Sequence, residues 1–495
     1  MRTLVLKPGL KSSLRDATQT LQIIQFLLTI LVNPMNSPFT ISLAQKIDLI
    51  PENERIILKS NNYKLTLSHL QPGLKTAFNH LKHSPTTLSN LRQLVVETDG
   101  IEEKDKFDKY LQGLTNLGWI CHSVYPLATA IPMTGNYQFN YPKIEDWQQQ
   151  TFTLSRFAYL HQVNGEMVLE SPQSQAKIIL LDWRATALIT KLSQPQTSTT
   201  LIAGIPDIAE ELAQQFLSLL LATQMLSSET ENSHLIQWEF HDLLFHSRSR
   251  KGRHSNPVGG TYRFLDKIEP LPVVKPPMSD KVIQLYKPDL ENLAKTDISF
   301  TQVLESRRSI REYGENPITI EQLGELLYRS ARIQEIIDKE KLGQLSRRPY
   351  PGGGAIHELE IYPLINYCEG LEPALYHYRP DAHQLELVSD WSQEIEALVT
   401  EACLSNGSQK MPQVVIIITA RFNRMFWKYQ SMAYAAILKH VGVLYHTLYL
   451  VSTAMNLAPC GIGAGNSDIF AKATGIDYYE ESSVGEFILG TVKQS

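Results

Sequence analysis

What is scarce in this chain of 495 residues narrows it first. Four cysteines, Cys121, Cys368, Cys403 and Cys460, stand far apart without CxxC or Cys/His ligand spacing. That disfavours a zinc site and a disulfide scaffold alike and fits a reducing cytoplasm. No charge of one sign dominates: 46 basic residues against 51 acidic leave a formal charge of −5. The broad basic surface of a general nucleic-acid binder is therefore missing, and no nucleic-acid partner is expected. The run most like a targeting signal, LQIIQFLLTILV from Leu21 to Val32, follows Arg2, Lys7, Lys11 and Arg15. It contains Gln22 and Gln25, is too short to span a bilayer and leads to no clear small-residue cleavage site. A docking helix or a weakly ordered extension is expected there, without stable membrane association. A dinucleotide fingerprint is absent too, because CGIGAG is not GxGxxG and follows a helix rather than a strand.

The length predicts two to four domains. After Pro51, ERIILKSNNYKLTLSHL alternates like paired strands around an Asn61–Asn62 turn. GLKTAFNHLKHSPTTLSNLRQLVV and EKDKFDKYLQGLTNLGW then carry apolar residues at helical spacing up to Gly118, and an apolar strand follows. Short helices followed by a β element make a winged-helix pattern. Its recognition helix sets Glu102, Glu103, Asp105 and Asp108 among Lys104, Lys106 and Lys109, so phosphate would repel it about as much as attract it. The same grammar restarts near Phe152. TLSRFAYLHQVNGEMVLESP reads as a hairpin around Asn164–Gly165, followed by strand, helix, helix, and then a strand leading into a helix through HLIQWEFHDLLFHSRS. Two consecutive winged-helix-like modules are expected.

Between residues 247 and 263, Arg248, Arg250, Lys251, Arg253 and Arg263 lie among Gly and Pro, either as a solvated basic loop or as a clamp for an acidic peptide. PLPVVKPPMSD reads as an interdomain linker. Farther on, Arg307, Arg308, Ser309 and Arg311 fall within a turn and a half of a helical reading. Several donors would then converge on one anion, although a charged helix end is the plain alternative. Gly352, Gly353 and Gly354 separate Pro351 from an apolar strand, where a backbone can pass close to a planar ligand. PQVVIIITA reads as a fully buried strand. A long helix is expected after it, from Trp427 to Met455, with Met432, Ala435, Leu438, Gly442, Tyr445, Leu448 and Ser452 at three- and four-residue spacing. It is apolar nearly all round and belongs in a core or a subunit interface. Lys428 and Tyr429 stand at its polar entrance, as a reactive pair or merely as an amphipathic edge. Its far end stops at Asn456, Pro459 and the glycines 461, 463 and 465.

Taken in order, SRRSIREY, RPYPGGGAIHELEIY, the WKY helix with APCGIG, and the terminal EFILGTV resemble the FMN-dependent nitroreductases. More narrowly they are similar to the SagB/McbC-type azoline dehydrogenases, which include the cyanobactin thiazoline and oxazoline oxidases. WEFHDLLFHSRSRKGRHSNPVGGTYRF also resembles the segment preceding the oxidase domain in that subfamily. The resemblance implies an α+β fold: a nitroreductase-like FMN domain, with a mostly antiparallel central sheet flanked by helices, preceded by the two winged-helix-like modules. The expected division is an extension over 1–50, modules over 51–135 and 150–247, a basic and proline-rich linker over 248–284, and the FMN domain over 285–495.

It further implies an entwined homodimer with FMN sites shared between chains. Arg307, Arg308, Ser309 and Arg311 match the phosphate and ribityl contacts, Pro351, Gly352, Gly353 and Gly354 match the loop that reaches the flavin from the other chain, and Pro459, Cys460 and Gly461 match the turn at its reactive edge. Lys428 and Tyr429 match the subfamily's lysine-tyrosine pair, Lys428 as the candidate base and Tyr429 as its hydrogen-bonding partner or co-base. Two departures argue against simple reduction of nitro compounds. Ala355 and His357 stand where simpler nitroreductases tend to carry Asn and Gln, and Gly490 and Thr491 replace C-terminal basic residues. The expected reaction is oxidation of azolines in a precursor peptide to azoles, with O2 as electron acceptor and no metal. The alternatives are a stand-alone NAD(P)H nitroreductase and a flavin-linked DNA-binding redox regulator. Leader binding to the twin modules would add a strand to a sheet edge.

Overall fold

The computed structural model describes residues 39–52, 55–60, 63–227, 233–405, 407 and 410–493. The apolar run from Leu21 to Val32 and the Asn61–Asn62 turn lie outside these residues. The chain divides between Gln237 and Trp238 into two compact units. Among the described residues no helix is long and apolar enough to cross a membrane.

The first unit runs β1 (Thr40–Leu43), β2 (Asp48–Glu52), β3 (Arg55–Lys59), β4 (Lys64–Ser68), α1 (Pro72–His83), β5 (Thr86–Thr87), α2 (Leu88–Asp99), α3 (Ile101–Asn116), β6 (Ile120–Val124) and β7 (Ala128–Pro132). It continues through β8 (Tyr159–Val163), β9 (Glu166–Glu170), β10 (Ala176–Leu180), α4 (Trp183–Lys191), α5 (Ser198–Ile202) and α6 (Glu210–Ala222). Proline opens α1, whose free N–H groups at Gly73 and Leu74 are satisfied by the Asp99 carboxylate at the end of α2, at 2.8 and 2.7 Å. The helices close over Leu74, Phe78, Val95 and Phe107. Asn164 and Gly165 both take positive φ and turn β8 into β9, the geometry that a two-residue hairpin favours.

Two expectations give way here. The two modules share one seven-stranded sheet, ordered β5-β1-β6-β7-β10-β9-β8, because β7 pairs with β10 and their Ala128, Ala130, Ile178 and Leu180 enter one core. The supposed extension over 1–50 also supplies β1, which pairs with β6.

The second unit opens with α7 (Phe240–Arg248), and the strand expected just before it does not form. It continues through β11 (Gly259–Gly260), β12 (Val282–Gln284), α8 (Leu290–Thr296), α9 (Phe300–Ser306), β13 (Ile318–Thr319), α10 (Ile320–Ala331), β14 (Glu335–Asp338), β15 (Gln344–Arg347), β16 (Leu359–Ile365), β17 (Cys368–Glu369), β18 (Ala374–Arg379) and β19 (Gln384–Asp390). Then come α11 (Gln393–Ser405), β20 (Val414–Arg421), α12 (Phe422–Lys428), β21 (Tyr429–Gln430), α13 (Ala433–Ala454), β22 (Leu457–Ile462), α14 (Ser467–Thr474) and β23 (Glu481–Thr491). Its main sheet, β12-β19-β18-β16-β20-β23-β22, is antiparallel throughout. Every residue of β16 and β20 is buried. Helix α13 contributes to the core on one face, while α11 and α14 pack on the other.

The proline-rich stretch is no free linker. Val273 is fully buried, Lys275 bonds Glu481 and Tyr362 at 2.6 and 2.7 Å, and the carbonyls of Leu271 and Pro272 accept from Arg424 and Arg421. The expected long helix is interrupted as well. β21 pairs with β11, and the Thr261 and Tyr262 N–H groups donate to the Lys428 carbonyl. Lys428 therefore ends α12 instead of opening α13.

Candidate active site

Lys428 and Tyr429 meet the glycine loop. Gly354 adopts a left-handed φ of +64°; a Cβ there would overlap the Lys428 amine and stand 2.7 Å from the Tyr429 hydroxyl. Glycine favours that conformation, and any side chain there would push the Lys428 amine aside. One residue back, the Gly353 N–H donates to His440 Nε2 at 2.7 Å, and His440 Nδ1 lies 2.7 Å from Glu358 Oε1. An N–H aimed at Nε2 requires a lone pair there, which puts the imidazole proton on Nδ1, facing the carboxylate. The ring of Tyr262, just after β11, stands 5.6 Å from Lys428 Nζ. Both members of the pair are half-buried.

Strain and buried charge gather behind this loop. Ala355 and His357 take positive φ without being glycine, a conformation that persists only where surroundings enforce it. Arg424 supplies part of the enforcement by donating to the Ile356, Leu271 and Gln344 carbonyls. Burial lowers its pKa to about 10, helped by Arg421. Burial also pushes the His357 imidazole down to about 3, with Arg348 adding to it. Glu360 pays the burial penalty too, yet His377 and Arg421 hold it at about 2.

The cationic stretch forms a second cluster. Helix α9 ends at Ser306, and residues 307–312 are not helical, so the four expected donors do not share a helical turn. Arg307 Cζ lies 5.3 Å from the Tyr449 ring centre and Ser309 Oγ 2.8 Å from the Tyr449 hydroxyl, whereas Arg308 and Arg311 are exposed. The Gly461 N–H donates to that same hydroxyl at 2.7 Å, and the Ile310 N–H donates to the Pro459 carbonyl at 2.9 Å. Tyr449 thus ties Ser309 to Pro459–Gly461, which does not form the expected turn but lies within β22 and pairs with β23. Cys460 points the other way, its thiol packed with Ala458 and Ile462 in the core, so only its backbone is available on the Tyr449 side.

At the end of β22 opens a cavity of ≈ 300 Å³, lined by Val441, Tyr445, Ile462, Gly463, Gly465, Ser467, Ser483 and Glu486 among others. A side chain on Gly463 would meet nothing within 4 Å. Burial raises the Glu486 carboxyl to about 7, opposed by a hydrogen bond from Ser483 and reinforced by Glu401. These features fit the flavin that the resemblance implies: a guanidinium and a hydroxyl for a phosphate, bare glycine backbone for a planar ring, and room beside them. Gly490 also finds its reason, since a Cβ there would overlap the Tyr313 ring. A basic side chain is excluded from that position by packing.

Arg307 and Ser309 therefore join Pro459 and Gly461 at one end of α13, while Gly353, Gly354, Lys428 and Tyr429 gather at the other. His440 and Tyr449 anchor the two groups on that helix, nine residues or about 14 Å of axis apart. Glu358, His440, Tyr449, Tyr262 and Glu486 escaped the sequence reading. The only signal was polarity within an apolar pattern: His440 on α13 and Glu486 in β23.

Three family models match in succession: the ThcOx helix-turn-helix domain over residues 35–141, the cyanobactin oxidase ThcOx over 152–255, and the nitroreductase family over 304–491. A Methanocaldococcus jannaschii protein assigned as a nitroreductase is 26% identical over 182 residues, which are 37% of this chain and 84% of that protein. The trifolitoxin-processing protein TfxB of Rhizobium leguminosarum bv. trifolii is 24% identical over 36% of this chain and 43% of its own length. The microcin B17-processing protein McbC of Escherichia coli is 28% identical over 26% and 48%. The chain thus spans less than half of either peptide-processing relative. Among solved structures, the E. coli microcin synthetase McbBCD complex with truncated pro-MccB17 bound matches with 18% identity and a TM-score of 0.33, over 54% of this chain and 100% of that one. A protein from Exiguobacterium sibiricum assigned as a nitroreductase, in complex with FMN, matches with 14% identity and a TM-score of 0.28, over 40% and 90%. At such overlap neither structure bears on mechanism. By the order of the three matched regions the chain is an oxidoreductase with a nitroreductase-fold domain, and it is similar to the ThcOx-type cyanobactin oxidases.

Proposed function

We propose that the chain oxidises thiazoline or oxazoline rings of a ribosomally made precursor peptide to thiazoles or oxazoles, with FMN as cofactor. The observation that carries this reading is the cluster in which Lys428 and Tyr429 are pressed together against the Gly353–Gly354 backbone. The cyanobactin-oxidase match and the two peptide-processing relatives support the substrate class.

Aromatising an azoline removes a proton from one ring carbon and a hydride from its neighbour. FMN, when bound, supplies the hydride acceptor, and O2 takes the two electrons onward. The protein's share is binding and proton transfer. Lys428 takes the ring proton, and Tyr429 orients its amine or shares the proton. Arg307 and Ser309 hold the phosphate, and the open backbone at Gly463 leaves space for the flavin ring. Tyr434 and Leu438 are exposed on α13, four residues apart on one apolar face, which supports a homodimer built on that helix. The first unit serves precursor recognition in this reading.

The test is the mass of an azoline peptide incubated with the yellow holoprotein in air: two hydrogens are lost per ring. Rapid bleaching of the flavin by NAD(P)H, with the azoline mass unchanged, would instead support a stand-alone nitroreductase.

A further inference from the structure

The polar residue on the buried face of α13 with the most consequential contacts is His440. It stands among Ala436, Ile437, Val441 and Leu444, all buried. A histidine in such a row is often no more than a satisfied core residue. Its two bonds argue for more. Nδ1 faces Glu358, whose side chain is wholly buried and lies just before β16, and Nε2 accepts from the Gly353 N–H across the loop. The carboxylate thus fixes the tautomer, and the tautomer creates the acceptor that the loop requires. Gly353 in turn leads into the left-handed Gly354, the residue packed against the Lys428 amine and the Tyr429 hydroxyl.

We propose that Glu358 and His440 are positioning residues: through the Gly353 N–H they lock the glycine loop onto the Lys428–Tyr429 pair and hold the two side chains in reacting geometry. The inference deepens the proposed function and rests on it for its effect on rate, but not for its effect on the loop. The loop needs such a lock because its other supports lie behind it. Arg424 fixes the carbonyl of Ile356, two residues beyond Gly354, while Gly354 itself is exposed to solvent. Without an acceptor at His440, the Gly353 N–H would be left unpaired or would turn to water, carrying Gly354 away from the pair.

The experiment uses the full-length FMN-loaded protein and three variants. His440→Phe keeps a ring but no acceptor. His440→Gln returns an acceptor to the Gly353 N–H. Glu358→Leu removes the tautomer-fixing carboxylate without touching His440. Two readouts are taken: kcat and KM for an azoline peptide, and the rate at which acetic anhydride labels Lys428, mapped by peptide mass. His440→Phe should lower kcat at least tenfold with KM within twofold and bound FMN unchanged, and should speed labelling of Lys428 at least threefold. Glu358→Leu should follow it in direction, and His440→Gln should restore both readouts to within threefold of the parent. Should the phenylalanine variant fail to fold, the Glu358 variant decides the matter by the same criteria. Unchanged labelling in the folded variants overturns the proposal, whatever happens to the rate. Faster labelling with unchanged turnover upholds the lock and sinks the assignment of Lys428 and Tyr429 to proton transfer, so the two failures are told apart.

Discussion

The two clusters on α13 are built by different means. The Gly353–Lys428 cluster is held by buried polar groups brought from distant parts of the unit: His440, Glu358 and Arg424. Among the described residues, several polar atoms around it, Arg348 Nη2, Tyr350 Oη, His357 Nδ1 and Glu358 Oε2, find no hydrogen-bond partner. The Arg307–Gly461 cluster is held by backbone pairing, through Ile310 to Pro459 and through β22 to β23, with Tyr449 as a single side-chain tie. A site made from satisfied ladders degrades gradually when one contact is lost. One made from buried polar partners does not, because each loss leaves a dehydrated group behind.

The widest separation between the clusters should appear in turnover. Lys428→Ala or Tyr429→Phe is expected to lower azoline oxidation roughly a hundredfold or more while the bound-flavin spectrum stays the same, the scale of losing a general base. Wild-type rates in both variants would remove the pair from the mechanism. Arg307→Ala should do the reverse: FMN retention, followed by equilibrium dialysis, weakens by about 1.5–3 kcal/mol, and turnover per bound flavin persists. If retention holds and turnover collapses, the clusters have been assigned the wrong way round.

Acid and base should separate the clusters in stability. Glu486 is raised by burial from 4.5 to about 7, so above about pH 4.5 the unfolded chain releases a proton that the folded one keeps. Its contribution to stability is therefore present below pH 4.5 and lost as pH rises to about 7. His357, lowered by burial from 6.5 to about 3, contributes stability that is complete above pH 6.5 and lost as pH falls toward 3. Glu486→Gln in the flavin-free protein should gain about 1–2 kcal/mol at pH 8 relative to pH 5, less than the full linkage value because the cavity admits water. Thermal melts at the two pH values that change in parallel with the parent would contradict this. The smallest effect is expected at the tie itself. Tyr449→Phe removes the partner of both Ser309 and Gly461, and about 1 kcal/mol of flavin affinity should follow. A loss as large as that of Arg307→Ala would mean that the hydroxyl, and not the guanidinium, is the main anchor.

Much of the second unit was legible in the sequence because its signals are local. The β-branched run from Val414 to Ala420 could only be a strand covered on both faces, and three consecutive glycines before Ile356 marked a backbone that passes close to something. The left-handed turn at Asn164–Gly165 was equally local. Other features depended on partners far along the chain. Nothing near Lys428 announces that Gly259–Gly260, some 170 residues earlier, will pair with β21 and stop the helix there. The same holds for the joining of two winged-helix-like modules by β7 and β10, since alternation shows that a strand has an apolar face but not which strand lies beside it.

The sequence by itself determined most of the elements, the buried strands and the residue types proposed for an anion, a planar ring and a proton. Only the tertiary structure decided which of them meet. Arg307 and Ser309 reach Tyr449 where the chain has left the helix at Ser306, while Arg308 and Arg311 stay exposed. His440 and Glu358, 82 residues apart, become a pair because α13 packs over the start of β16, and a hydrogen bond between buried side chains requires a proximity that no local pattern encodes.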